Sequence, residues 1–246
     1  MRSQGYSSAA QTILGGGLMV EGDSHPGWRA KLRDPSLTLL LILYLVAIFF
    51  ITPLTAAGFA VPRLAALILV FAAVSLVVLV SRTRFAVMVG IASLVASIGG
   101  VVIRERYPGD ASFIISAAGA VLALSALNWV VASAVFAPGR ISFYRIQGAF
   151  VLYLNLAVWF SVLFRLIAEL QPGAFVGFPS DTQGAEFESV LLYFSFTTIT
   201  STGFGDIIPV NPFARSLTNL EAVTGQLYAA TVLARIVTLE LEHRRR

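Results

Sequence analysis

The chain has 246 residues, 57% of them hydrophobic and only 12% charged, with a mean hydropathy of +0.82, which is far too apolar for a soluble domain of this length and describes a protein with several membrane spans. The net charge of +4 reads as a consequence of membrane topology and contact with anionic lipid, not as a nucleic-acid surface. With no cysteine, a disulfide framework and a thiolate metal site are both excluded.

Residues 1–34 are polar and glycine-rich and lack the basic-then-apolar layout of a cleavable signal, so they read as a cytoplasmic tail, with the first span acting as an uncleaved signal anchor. Asp34-Pro35 then resembles a helix cap followed by proline at the first helical position. Apolar segments long enough to cross about 30 Å of hydrocarbon as helices follow at 37–54, 64–80, 85–103, 113–136, 148–167 and 213–239. The fold class expected is therefore all-α, with six membrane-spanning helices. Pro138-Gly139-Arg140 divides residues 35–137, a peripheral four-helix region, from residues 138–246, a pore module with a short basic tail.

Cytoplasmic flanks carry excess lysine and arginine. With the N-terminus inside, Arg2, Arg29, Lys31, Arg33, Arg82, Arg84, Arg140, Arg145, Arg244, Arg245 and Arg246 are internal, against Arg63, Arg104, Arg106 and Arg215 outside. Both termini are therefore expected in the cytoplasm, in a multi-pass protein of the plasma (bacterial inner) membrane. The fourth span contains no Lys, Arg, Asp or Glu. Steep voltage gating needs about 3 to 4 arginine charges per subunit in such a helix, so voltage sensing by that route is not expected.

Between the fifth and sixth spans, Pro172, Gly173, Gly177, Pro179 and Gly184 mark an irregular turret, and Glu186 to Thr198 has helical length with few breakers. Backbone at membrane depth must be paired or line a water-filled cavity, which a re-entrant half-helix followed by a short extended strand satisfies. Glu186 and Glu188 stand at the outer start of that half-helix, where carboxylates complement its positive end.

The strand is Thr200-Ser201-Thr202-Gly203-Phe204-Gly205-Asp206. A dehydrated cation needs its water shell replaced by oxygens, and a short strand supplies them when successive carbonyls face one axis. That direction forces alternate residues to positive φ, which glycine adopts freely, and Gly203 and Gly205 stand at alternate places. The segment from Ser201 to Asp206 resembles the potassium-channel signature Thr-Val-Gly-Tyr-Gly-Asp, and the run from Tyr193 to Arg235 resembles the pore helix, filter and inner helix of bacterial six-helix channels.

The resemblance implies an ion-binding segment of Thr200, Ser201, Thr202, Gly203, Phe204 and Gly205, in which the Ser201, Thr202, Gly203 and Phe204 carbonyls and the Ser201 hydroxyl line stacked potassium sites. Asp206, Tyr193, Phe194 and Thr197 would support the filter, with Tyr193 tethering Asp206. Gly225 matches the inner-helix hinge, or else allows close helix packing, and Gln226, Ala229, Ala230, Leu233 and Val237 match pore-facing positions. Phe204 departs from the family in lacking a phenol. Within the spans, Glu221 is expected to pair with Arg165 or Arg215, because isolated charge at membrane depth is costly.

One chain supplies one wall of a filter, so the expected assembly is a homotetramer in contact with membrane lipids, conducting potassium passively. No catalytic residues, no cofactor beyond the permeant potassium ion, no small-molecule substrate and no nucleic-acid partner are expected. His25 and His243 lie outside the spans, against an intramembrane protease. The rival readings are a poorly selective cation pore, a filter-containing potassium transporter, which would carry four pore repeats in one chain, and a non-conducting membrane scaffold.

Overall fold

A computed structural model describes residues 38–59, 109–136, 143–178 and 184–244, together with the isolated positions 88, 92, 95, 99 and 106. The chain is mostly helical. Three helices among the described residues are long and apolar enough to cross a membrane: Thr38–Ala56, Ser112–Ser133 and Arg145–Leu170. They correspond to the expected first, fourth and fifth spans. The expected span at 64–80 and the tail at 1–34 lie outside the described residues, and so does the expected span at 85–103 apart from positions 88, 92, 95 and 99. The expected sixth span is helical throughout.

The first helix, α1 (Thr38–Ala56), widens into a π-turn at Ala47–Ile51, where the Thr52 N–H bonds the Ala47 carbonyl and the Thr52 hydroxyl donates to the same oxygen at 2.9 Å. Pro53 follows at once; having no N–H to give, it is accommodated where the regular ladder is already interrupted. The second helix, α2 (Asp110–Val135), and the third, α3 (Phe143–Leu170), bracket the Pro138-Gly139 break. A two-residue strand β1 (Phe175–Val176) precedes α4 (Gly184–Ile199); β2 (Ile208–Pro209) follows the glycine-rich segment, and α5 (Pro212–Arg244) ends the chain. Asn211 caps α5 by accepting the Phe213 N–H at 2.8 Å, with Pro212 as the first helical residue. At 33 residues, α5 is about 50 Å long.

The turret is less irregular than its composition suggests. β1 pairs antiparallel with β2, placing Phe175 opposite Pro209 and Val176 opposite Ile208. The Val210 N–H donates to the Ala174 carbonyl at 2.9 Å, and the Arg215 Nε donates to the Pro209 carbonyl at 3.0 Å. The chain before α4 is thus strapped to the chain after the glycine-rich segment.

Two apolar clusters hold the helices together. One joins Leu40 of α1, Leu127 and Val131 of α2 and Val151 and Leu152 of α3, with Tyr228 and Val232 of α5 packed against it. The expected peripheral region and the pore module therefore share a core. α1 also reaches α4 directly, through the Phe49 and Phe196 rings at 6.0 Å. Inside this region a polar ladder links three helices. The Tyr44 hydroxyl donates to Asn155 Oδ1 at 2.5 Å, and Asn155 Nδ2 donates to Asn128 Oδ1 at 2.8 Å. In hydrocarbon such pairing ties helices together at a cost of unsatisfied groups if it is broken.

The second cluster is aromatic and sits under the strap. Phe164, Phe175 and Phe194 meet pairwise edge-to-face, with centroids 5.0 to 5.8 Å apart. Aromatic pairs of this geometry contribute about 0.5–1.5 kcal/mol each beyond burial. They join α3, β1 and α4 at one point.

Candidate functional site: the segment between α4 and β2

The segment starts where α4 runs out of partners for its last carbonyls. The Ser201 N–H donates to the Thr198 carbonyl at 2.8 Å, and the Thr202 and Gly203 N–H groups donate to the Thr197 carbonyl at 2.8 and 3.1 Å. In a planar trans peptide the carbonyl points opposite to the following N–H. With three successive N–H groups turned back toward α4, the carbonyls of Thr200, Ser201 and Thr202 point away from it. Thr197 thus acts through its backbone; its buried hydroxyl is spent locally on the Phe194 carbonyl at 2.9 Å.

Holding carbonyls in one direction requires alternating handedness, and the backbone shows it: φ is +55° at Ser201, +54° at Gly203 and +78° at Gly205. The two glycines occupy their expected places. Ser201 is the only described non-glycine residue with positive φ, a conformation costing about 1–3 kcal/mol that the surroundings must impose. Its N–H bond to Thr198 supplies part of that constraint. Another part comes from α5, where Gln226 Nε2 donates to Ser201 Oγ at 2.8 Å. Thr200 and Thr202 join their hydroxyls at 2.9 Å across the peptide between them.

Phe204 is 69% exposed. Its ring lies parallel to Tyr193, at an interplanar angle of 2° and 6.3 Å between centroids. The Tyr193 side chain also reaches Asp206 as a hydrogen-bond partner. Phe194 is buried in the aromatic cluster. From outside, Gly177 comes against Asp206: with φ at +96°, a Cβ there would lie 1.8 Å from the Asp206 carbonyl oxygen.

The inner side is set by α5. A Cβ at Gly225 would lie 1.9 Å from the Ile199 carbonyl oxygen, so this glycine serves close approach of α5 to the end of α4. The helix runs without interruption through it. Tyr153 of α3 donates to the same Ile199 oxygen at 3.1 Å. Beyond Gly225, Gln226, Ala229, Ala230 and Leu233 are exposed on α5. The Val237 side chain lies outside the described residues.

The expected pairing of Glu221 with Arg165 is replaced by two separate arrangements. Arg165 pairs instead with Glu188 of α4, and its guanidinium stacks over the Phe113 ring at 5.4 Å. Glu188 stands one turn further into α4 than a cap position, facing α3, and only Glu186 lies in the first turn. Glu221 is fully buried and bonds the Ser195 hydroxyl, with its second oxygen unpartnered. Ser195 Oγ also lies 2.7 Å from the Ala157 carbonyl. One hydroxyl hydrogen cannot serve both oxygens, so the trio is satisfied only when a second hydrogen sits on the Glu221 side.

Sequence reasoning missed Ser195, Gly177 and Glu188 as parts of this site. Gly177 carried a signal, a glycine beside β-forming residues, but its partner is 29 positions away in the chain. The described geometry presents a strand of outward-turned carbonyls braced by α4 behind, α5 within and β1 outside. Among the described residues no cluster of His, Cys, Asp or Glu suits a resident metal. Residues 141–241 match the family model described as Ion channel. No curated protein matches the chain. The matched family is one of channels, not of enzymes, and with the apolar helices the match supports an ion channel in a membrane.

Proposed function

We propose that the protein is a potassium-selective channel, a homotetramer of six-span subunits around one axial pore, conducting passively and without an arginine-based voltage sensor. The observation that carries this reading is the alternation of positive φ at Ser201, Gly203 and Gly205. Together with the N–H groups turned back onto α4, it supports a row of carbonyl oxygens fit to replace the hydration shell of potassium. A single chain leaves this row exposed on one side, along with Phe213, Leu220, Val223 and Leu227 of α5. Those residues fall in a heptad-like stripe, which suits packing against the same helix of neighbouring copies. In this reading α4 is the re-entrant pore helix and Thr200 to Gly205 the filter, with both termini in the cytoplasm of a plasma-membrane protein.

A second reading is a poorly selective monovalent cation pore. It is favoured by Phe204, which offers a stacked ring where a tethering phenol would stiffen the filter. Planar bilayers containing the purified protein, under opposed potassium and sodium gradients, separate the two. A reversal potential near the potassium equilibrium value is expected; a value near zero supports the second reading, and no current at all sinks both.

A further inference from the structure

We propose that Gln226 is a positioning residue for the innermost ion site, holding the Ser201 hydroxyl oxygen so that the pore discriminates potassium from sodium. The inference rests on the channel reading and deepens it. Gln226 Nε2 lies 2.8 Å from Ser201 Oγ, across 25 positions of sequence. Both side chains are exposed in the single chain. The contact is thus an ordered bond at an open surface, where a glutamine side chain would otherwise be free to turn.

Gly225 explains how the bond is reached. Its missing side chain lets α5 approach the Ile199 carbonyl to a distance no Cβ would tolerate. The next residue, Gln226, is thereby carried to the first turn of chain after α4. The two neighbours act together: one sets the distance, the other spends it on a hydrogen bond.

The chemistry follows from the hydroxyl. A serine Oγ has one hydrogen and two lone pairs, and its χ1 torsion turns among three staggered positions unless something fixes it. A hydroxyl turned with its hydrogen toward a cation repels it. With one lone pair accepting from Gln226, the oxygen is held in one χ1 position and that side of it is closed to the hydrogen. Threonine would restrict the same torsion through its branched Cβ, but Ser201 has no such methyl group, and Gln226 takes over that task. An oxygen fixed in place suits an ion of one size; a free one adapts to the smaller ion as readily.

The test compares potassium-over-sodium permeability ratios for the full-length protein in planar bilayers, with Gln226→Leu introduced in the natural background and in a Ser201→Thr background. Loss of the one hydrogen bond that holds the Ser201 side chain is expected to lower the ratio roughly tenfold in the natural background. In the Ser201→Thr background the fall should be less than about twofold, because the branched side chain already fixes the oxygen. Gln226→Asn keeps an amide but withdraws it, and serves the same comparison if the leucine variant does not assemble. An unchanged ratio, or an equal fall in both backgrounds, overturns the inference. A natural protein that does not prefer potassium overturns the channel reading itself, which is a distinct outcome.

Discussion

Gly177 and Asp206 meet backbone to backbone, so closely that a methyl group at Gly177 would fall 1.8 Å from the Asp206 carbonyl oxygen. The contact lies one residue beyond β1 and two before β2, where the strap crosses the end of the glycine-rich segment. Gly173, four positions earlier, has a similar φ of +80° but open space around its Cβ position. The pair therefore separates backbone strain from displacement. Gly173→Ala should cost about 1 kcal/mol, from positive φ alone. Gly177→Ala should cost at least about 2 kcal/mol more, because the strap must also move. Thermal unfolding in detergent measures the difference, and bilayer recordings of the second variant should show a weakened ion preference. Equal stability losses would mean that the strap does not brace the filter.

The proposed filter is tested at Gly203. With φ at +54° and nothing within 4 Å of the Cβ position, Gly203→Ala meets no clash inside the chain and pays only for handedness, about 1–2 kcal/mol per subunit. In a tetramer that cost falls on four copies at one point on the axis. Potassium flux should be lost or its selectivity abolished, while assembly, measured as detergent-corrected mass, persists. Normal selectivity in this variant would remove Thr200 to Gly205 from the ion path.

What was legible in the sequence was local. Gly203 and Gly205 could be read because positive φ selects glycine whatever lies around it. The apolar lengths of α1, α2 and α3 follow from similarly short-range rules. Ser201 shows the limit, since nothing in a serine announces positive φ; the conformation is imposed by Thr198 and Gln226. The partner of Arg165 was misjudged for a related reason. Choosing between Glu221 and Glu188 depends on how α4 is rotated against α3, and no periodicity within either helix sets that rotation. Gly225 had two open readings, and the close approach to Ile199 that favours packing is a contact across the chain, which no local pattern announces.

The Arg165–Glu188 pair is the outer link between α3 and α4. The Arg165 side chain is 15% exposed and that of Glu188 is 54% exposed, so solvent screens the pair and its contribution is modest. Glu188→Gln should lower thermal stability by about 1 kcal/mol at low ionic strength, with a smaller difference at high salt. Phe113→Leu, which removes the ring under the guanidinium, should cost a similar amount that salt alters less. If the Glu188 variant is as stable as the natural protein at low salt, the link does not hold α4 in place.

Glu221 distinguishes a hydrogen-bonding role from a charged one. The Ser195 hydroxyl stands between the Ala157 carbonyl, 2.7 Å away, and the Glu221 carboxyl group. Neither the carbonyl nor a carboxylate brings a hydrogen, whereas an amide in place of the carboxyl group brings one that Ser195 can accept. Glu221→Gln should therefore keep α5 docked on α4, with stability within about 0.5 kcal/mol of the natural protein and ion preference unchanged. Glu221→Ala leaves a buried void and strands the serine, and should cost about 2–4 kcal/mol. Ser195→Ala in the Glu221→Gln background should then be more harmful than in the Glu221→Ala background, since only the first still has a partner to lose. Thermal unfolding of these variants reads the comparison directly. A severe loss in Glu221→Gln would show that a charged carboxylate is what this position requires, and that the cation it answers belongs to another part of the assembly.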